Sequence, residues 1–428
     1  MLIYSPHITS RLLYIANWLG EQTGMHVACT NDRQVFEQEK GICINYSSAN
    51  IKEQAFWIQP QGLLFENYIK ELEIQIEDQN NLPIFFRNES DPGFDFFSAA
   101  FFLMSRYEEY LTDERDLYGR YPHTKSIAYR FHFLNRPLID EWLEVFLKLL
   151  AGKFPDVTFQ KPSFQFIPTY DIDIAYCYKG KGFFRNLAGC FLRPTEFIRR
   201  IQVLLFNQKD PYDAYTYLEQ LHQSLPSKAI CFLLTAVKRS RQDKNILPHS
   251  SEFAKLAQDL SRYTEIGLHP SVFSSEHPAY LMKEKKVLES LVKKSLYESR
   301  FHFLKFNLPE DYVRLTEAGI TDDYSMGYGT INGFRASTSR SFIWYNLKKE
   351  EISNLRIHPF SWMDANSYYE QRFKAKETIE ELKKIREKIK SVNGTMITIA
   401  HNHFLGTDAL LDEWTLHYKN FLQESALL

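Results

Sequence analysis

The spacing of apolar residues changes near residue 155 and divides the chain into two regions. In the first region, apolar residues recur every three or four positions in three stretches, which are predicted helices: 9–20, 94–111 and 137–150. Short apolar runs between turn residues predict four strands: 26–29, 42–46, 55–58 and 83–86. The sequence Ala151-Gly152-Lys153-Phe154-Pro155 breaks the last helix. We therefore predict a small α/β domain over residues 1–155.

Charged residues interrupt the strongly aromatic helix predicted over 94–111. Arg106, Glu108 and Glu109 lie close enough along a helix to pair with one another. The pattern predicts a salt-bridged face that packs on the next domain, and a functional patch is the alternative.

The second region, residues 156–428, alternates apolar runs with longer helical patterns, which is typical of a β/α architecture. The predicted strands are 164–170, 229–234, 264–268, 299–306, 320–324 and 396–400. The predicted helices are 212–223, 251–262, 276–295, 309–318 and 367–391. Residues 179–208 form a basic, aromatic insertion after the first of these strands, and their pattern fits a lid, an interface or a covering helix.

Several chemically active side chains fall at the predicted carboxyl ends of strands, where ligands bind in β/α proteins. These residues are Asp171, Asp173, His269, Arg300, His302, His401 and His403. Because strand side chains alternate, Asp171 and Asp173 should point to the same side. Two carboxylates this close indicate a metal site, an acid/base pair or both. The structural alternative is that the carboxylates cap the next helix or form ion pairs with arginines.

Composition limits the class of protein without selecting a function. The 428 residues are 44% hydrophobic and 15% aromatic, as in a globular protein, and the net charge of −2 gives no general basic field for nucleic acid or acidic membranes. The five cysteines form no CxxC pair, which predicts free thiols in a reducing compartment, and we expect a cytoplasmic protein. We read no signal peptide at the start and no apolar run long enough to span a membrane.

Carboxylates together with imidazoles are ligands that suit a divalent metal, zinc first, with cobalt, nickel or manganese as alternatives. Such a metal lowers the pKa of a water and polarises a carbonyl group. A spare carboxylate and a spare imidazole can then serve as base and acid. The residue set therefore predicts metal-assisted hydrolysis.

Three segments resemble, in order, the motifs of the polysaccharide deacetylases of carbohydrate esterase family 4. The segments are Thr169–Asp173, Glu265–Ser271 and Ser299–His302, the last leading into Leu315–Ser325. The resemblance covers residues 160–405, while residues 1–155 resemble a domain of unknown function that precedes such domains in Bacteroidetes proteins. It implies a distorted (β/α)7 barrel after the α/β domain, and metal-dependent removal of acetyl groups from an acetylated sugar or polysaccharide.

The resemblance implies Asp173 and His269 as metal ligands. The family's second histidine falls on Phe273, so this ligand is missing at its usual place. We expect His302 to replace it, with His277 as a weaker candidate. Because of Phe273, an inactive carbohydrate-binding or scaffold protein is the alternative function, and a hydrolase of another ester or amide is a third.

The resemblance also implies catalytic and substrate-binding roles. Asp171 corresponds to the catalytic base, with Ile172 inserted between it and the second aspartate, and His401 corresponds to the general acid. Arg300 matches the family's motif arginine. Four residues are predicted to contact substrate, the last three having a structural role as the alternative: Arg300, Arg335, His403 and Asp364.

Overall fold

The computed structural model describes residues 1–160, 162–223, 225, 228–407 and 412–426. Its first region is built on a parallel sheet of four short strands in the order β2-β1-β3-β4. These strands and the hairpin that follows are β1 (Leu2–Tyr4), β2 (Ala28–Thr30), β3 (Cys43–Tyr46), β4 (Phe56–Ile58), β5 (Glu77–Gln79) and β6 (Leu82–Ile84). The sequence pattern missed β1, a central strand, because it is only three residues long.

Helices cover this small sheet, and all but the last of them begin at a side chain that caps them. They are α1 (Ser10–Thr23), α2 (Arg33–Gln38), α3 (Phe96–Met104), α4 (Ile127–Arg130) and α5 (Leu138–Lys153). Thr9 caps α1 by accepting a hydrogen bond from the Leu12 amide, and Asp95 caps α3 in the same way through Ser98. The predicted helix over 94–111 therefore starts at its cap but ends early, and a 3₁₀ turn over Tyr107–Tyr110 follows.

The second region contains a mixed sheet of nine strands in the described part of the chain. The strands are β7 (Gln165–Ile172), β8 (Ile230–Leu234), β9 (Glu265–His269), β10 (Glu298–Ser299), β11 (Asp322–Asp323), β12 (Phe342–Asn346), β13 (Glu351–Ile357), β14 (Trp362–Met363) and β15 (Thr395–His401). Their order is β12-β13-β11-β10-β9-β8-β7-β15-β14, and only β12 and β13 pair antiparallel. Among the described residues the two edge strands do not pair, so the expected barrel is not detected as a closed ring.

Helices connect and cover these strands, as the β/α pattern predicts. They are α6 (Phe183–Leu192), α7 (Phe197–Leu205), α8 (Tyr215–Gln223), α9 (Ser251–Leu260), α10 (Val272–Glu276), α11 (Ala279–Val292), α12 (Glu310–Glu317), α13 (Ala375–Ser391) and α14 (Asp412–Ala426). The predicted strand 299–306 was wrong in length, because the chain leaves the sheet after Ser299 and forms a 3₁₀ turn over His302–Leu304.

The two regions pack against each other through apolar and polar contacts. One cluster of buried apolar side chains extends across both. The Tyr14 hydroxyl on α1 donates to the carbonyl of Ile343 on β12, and Arg11 pairs with Glu350 at 2.6 Å. These contacts fix the position of the first region on the β12–β13 edge of the large sheet.

A buried ion network joins the regions at a second point. Glu109 accepts hydrogen bonds from Arg106 at 2.7 Å and from Arg335 at 2.9 and 2.6 Å. Neighbouring Glu108 also pairs with Arg106, at 2.8 Å, and accepts from the Ile127 amide. The charged residues predicted to pack on the next domain therefore do so through Arg335.

Candidate metal centre

Three side chains meet at the carboxyl edge of the large sheet in an arrangement that fits a metal ion. One ligand atom each from Asp173, His269 and His302 lies within 4.8 Å of the others. His269 Nε2 lies 3.1 Å from Asp173 Oδ1, and His302 Nε2 lies 3.5 Å from Asp173 Oδ2. Ligands at about 2.0–2.1 Å in a tetrahedron are separated by roughly 3.3 Å, so these distances suit a zinc-sized ion.

The register of the sheet explains why residues so far apart in sequence meet. His401 on β15 is the partner of Asp171 on β7, and Leu234 on β8 is the partner of His269 on β9. Parallel strands in register end at one edge, so the residues at their carboxyl ends become neighbours. His302 reaches this edge from the 3₁₀ turn, where its amide donates to the carbonyl of Pro270.

Each imidazole in the cluster is held through the ring nitrogen that faces away from it. His269 Nδ1 lies 2.5 Å from the carbonyl oxygen of Arg300, and His302 Nδ1 lies 2.9 Å from Asp243 Oδ1. Holding Nδ1 in this way fixes the ring and leaves Nε2 directed at the site, as in histidines that bind metals. Asp243 is fixed in turn by the amides of Val272 and Phe273 at the start of α10.

The charges around the cluster shift the pKa values of its members in opposite directions. Burial alone would raise the pKa of Asp173, but His302 and His401 outweigh it and hold that pKa well below its ordinary value. Burial would likewise lower the pKa of His302, but Asp173 and Asp243 raise it to about 9. These opposite shifts show that Asp173 and the imidazoles around it interact strongly through their charges.

Asp171 lies beside the cluster and is oriented by an arginine. Arg300 Nη1 donates to Asp171 Oδ1 at 2.7 Å and to the Thr169 hydroxyl at 2.7 Å. The other carboxylate oxygen, Oδ2, lies 3.8 Å from His269 Nε2 and faces the site. Arg300 is fully buried, its guanidinium lies over the Phe232 ring, and its predicted contact with substrate stays a prediction.

His401 also lies beside the cluster and is oriented by a carboxylate. Asp364 Oδ1 lies 2.6 Å from His401 Nδ1, and Asp364 Oδ2 accepts a hydrogen bond from the His401 amide. His401 Nε2 lies 3.5 Å from Asp173 Oδ2. Burial alone would lower the pKa of His401, but Asp364 and Asp173 raise it to about 10. The carboxylate of Asp364 is buried and engaged by His401, and its predicted contact with substrate stays a prediction.

A pocket of about 540 Å³ opens over these groups. Asp171, Asp173, His269, His401 and His403 all line it. Burial and the neighbouring His401 lower the pKa of His403 to about 4, so this ring is neutral near pH 7. Aromatic side chains form much of the remaining wall: Tyr118, Tyr212, Phe301, Phe303 and Tyr369.

The first region contributes to this pocket, which the sequence did not indicate. Tyr118 and Arg120 line the pocket, and the Arg120 guanidinium lies over the Tyr118 ring. Arg120 Nε donates to Asp116 Oδ2, while Nη1 reaches the carbonyl oxygens of Phe303 and Gly329. No strand end or motif marks these residues, because the tertiary fold alone brings their loop to the site.

Two other candidates lie outside the cluster. Arg335 is fully buried and forms an ion pair with Glu109 between the two regions, and its predicted contact with substrate stays a prediction. Phe273 packs on His277 with ring centroids 4.2 Å apart, and Lys238 lies over the Phe273 ring. The metal-ligand cluster found in the described residues includes His302 and not His277.

Comparison with known proteins gives one family match and distant structural similarities. A family model described as a family of unknown function, DUF7033, matches residues 1–155. No curated protein matches the chain. In the described part of the chain, no helix is long and apolar enough to cross a membrane.

The similar solved structures share little sequence with this chain. A "putative polysaccharide deacetylase" from Mycobacterium smegmatis is 12% identical, with 64% of this chain and 87% of that chain covered and a TM-score of 0.42. Puue allantoinase is 11% identical, with 62% of this chain and 84% of that chain covered and a TM-score of 0.40. A 4-alpha-glucanotransferase from Thermococcus litoralis is 12% identical, with 62% of this chain and 37% of that chain covered and a TM-score of 0.34. The matched family model ends at residue 155, before the residues of the candidate metal centre.

Proposed function

We propose that this protein is a metal-dependent hydrolase that removes acetyl groups from a sugar or polysaccharide. The observation that carries the proposal is the convergence of Asp173, His269 and His302 within 4.8 Å. Both histidines present Nε2 to the site while Nδ1 is held by another group. A purely structural ion pair has no need of two such tethered imidazoles around one carboxylate.

In this proposal Asp173, His269 and His302 hold a divalent ion. When bound, the ion would lower the pKa of a water molecule and polarise the carbonyl group of the substrate. The ligand set of two imidazoles and a carboxylate is typical of catalytic zinc, with cobalt, nickel and manganese as alternatives.

Asp171 and His401 take the roles of base and acid. Arg300 occupies Asp171 Oδ1, so Oδ2 remains to accept a proton from the attacking water. His401 donates from Nε2 to the leaving nitrogen or oxygen, and Asp364 stabilises its protonated ring through Nδ1. Asp171 and His401 are register partners on neighbouring strands, so both lie beside the candidate metal position, where one can accept a proton and the other can donate one.

The pocket supports a carbohydrate substrate. Tyr118, Tyr212 and Tyr369 present rings with polar edges, which suit the apolar faces and hydroxyl groups of sugars.

Acetate release from acetylated amino sugars and sugar polymers tests this proposal. The protein is treated with a chelator and assayed before and after Zn²⁺, Co²⁺, Ni²⁺ or Mn²⁺ is returned. We expect metal-dependent release that Asp173→Asn and Asp171→Asn abolish. Asp322→Asn is a matched control, because Asp322 also pairs with a histidine, His358, but does not line the pocket. Activity that survives the chelator or Asp173→Asn would contradict the proposal.

The same panel separates the alternatives. An inactive carbohydrate-binding protein would bind sugars with an affinity that the chelator does not change and would release no acetate. A hydrolase of another ester or amide would show metal-dependent activity on model esters and none on acetylated sugars.

A further inference from the structure

The insertion between β7 and β8 exposes a group of large apolar side chains. Seven of these side chains are at least 70% exposed: Phe183, Phe184, Phe191, Leu192, Ile198, Leu205 and Phe206. All lie on α6, on α7 or immediately beside them, and Arg200 joins the helices by donating to Asn186 Oδ1. We call residues 183–206 the insertion helices. Single exposed apolar residues are common, whereas a contiguous group marks an interaction surface.

Basic residues accompany this apolar surface. Residues 179–209 contain one acidic residue, Glu196, which pairs with the buried Arg200, and six further basic residues: Lys179, Lys181, Arg185, Arg193, Arg199 and Lys209. The loop after β8 adds Lys238, Arg239, Arg241 and Lys244, and Arg185 reaches the Lys244 carbonyl. The whole chain has a net charge of −2, so this positive charge is local. The net charge of the whole chain, from which we predicted no attraction to acidic membranes, does not reveal this local excess of basic residues.

Exposed aromatic and aliphatic side chains beside lysine and arginine are typical of helices that lie in the interface of an anionic membrane. A symmetric dimer through the same surface would bring two sets of basic residues together, because an isologous interface pairs a patch with itself. Leu192, Ile198 and Leu205 have no stacking function on nucleic acid. The charge and the aliphatic content together therefore favour a lipid surface.

The surface lies on the same edge of the sheet as the pocket. The insertion begins shortly after Asp173 and ends before Tyr212, and both residues line the pocket. Arg199 on α7 donates to the carbonyl of Thr407, in the segment that follows His403. We propose that the insertion helices dock on an anionic lipid bilayer and hold the edge of the pocket beside the membrane surface.

Vesicle flotation with the full chain tests this proposal. The protein is mixed with vesicles of phosphatidylcholine alone, or of phosphatidylcholine with one phosphatidylglycerol in three lipids. We expect binding to the anionic vesicles that falls as salt is added, because salt screens the lipid charge. Asp173→Asn should bind lipid as the wild type does, so failure of docking and failure of the proposed hydrolase activity are distinguishable.

Variants of exposed residues identify the surface without disturbing the core. Ile198→Ser/Leu205→Ser should weaken binding to anionic vesicles at least tenfold, since each side chain loses its burial in the lipid. Arg185→Gln/Arg193→Gln should weaken it roughly 25-fold, at about fivefold for each charge. The controls Leu117→Ser and Lys228→Gln replace an exposed leucine and an exposed lysine elsewhere and should have no effect.

Two results would overturn the proposal. One is equal recovery of the protein with neutral and anionic vesicles, or with neither. The other is a dimer in sedimentation velocity that Ile198→Ser/Leu205→Ser converts to monomer while lipid binding is absent, which would assign the surface to a second copy of the chain.

Discussion

Replacing Glu109 by glutamine tests the ion network that joins the two regions. Burial alone would raise the pKa of Glu109, but Arg335 and Arg106 outweigh it and lower the pKa to about 2 from an ordinary value of 4.5. Each pKa unit corresponds to about 1.4 kcal/mol, so ionised Glu109 contributes about 3 kcal/mol to the free energy of unfolding. Removing one member of a buried ion pair costs a similar amount, about 3–5 kcal/mol.

The sign of the pH dependence follows from the lowered pKa. The contribution of Glu109 is fully present above its unfolded-state pKa of 4.5 and is lost as the pH falls toward 2. In urea unfolding followed by circular dichroism, Glu109→Gln should therefore be about 3 kcal/mol less stable than the wild type at pH 7. The difference in the free energy of unfolding between the two proteins should become smaller as the pH is lowered below 4.5.

Glu108 supplies a matched control in the same turn. Burial dominates at this position and raises the pKa of Glu108, although Arg106 opposes it. Its ionised form is therefore not favoured by folding, and Glu108→Gln should cost about 1 kcal/mol or less at pH 7. The reasoning would be refuted if Glu108→Gln and Glu109→Gln lowered the free energy of unfolding equally. It would also be refuted if the decrease caused by Glu109→Gln were the same at pH 7 and pH 3.

Three further predictions concern the candidate metal centre. Asp364→Asn should move the alkaline limb of the kcat profile about 1–3 pH units lower, because His401 loses the carboxylate that raises its pKa; an unmoved limb would contradict the acid role. Asp243→Asn should weaken zinc binding in a chelator competition by about 10–100-fold, since it holds His302, whereas Asp322→Asn should not. Arg120→Met should raise KM with little change in kcat, and an unchanged KM would remove Arg120 from substrate binding.

The sequence predicted the parts of the site that lie at the ends of long apolar runs. Asp171 is the second-last residue of β7, and His269 and His401 end β9 and β15. The buried side chains of these strands make them visible in the sequence pattern. His302 was selected on the assumption of a strand over 299–306, and it reaches the cluster from a turn instead. The proximity of His302 to Asp173 therefore agrees with the expectation, whereas the predicted strand around His302 does not form.

Other contributions to the site have no local signal in the sequence. Asp243 lies in a loop nine residues beyond the end of β8, and Arg120 lies in the first region. The roles of Arg300 and Asp364 as partners of Asp171 and His401 depend on side-chain contacts across the sheet. Hydrophobic periodicity reports which residues face a core, and it carries no information about which polar groups will pair there.

The placement of Tyr118 and Arg120 in the pocket wall has a practical consequence for work with shortened chains. A fragment of residues 156–428 would lack Tyr118 and Arg120 from the pocket wall and would leave Arg335 without its carboxylate partner. It would also present to solvent the apolar side chains of β12 and β13 that α1 now covers. Loss of turnover in such a fragment would therefore reflect a missing wall and an uncovered sheet, and would say nothing about the chemistry at the metal ligands.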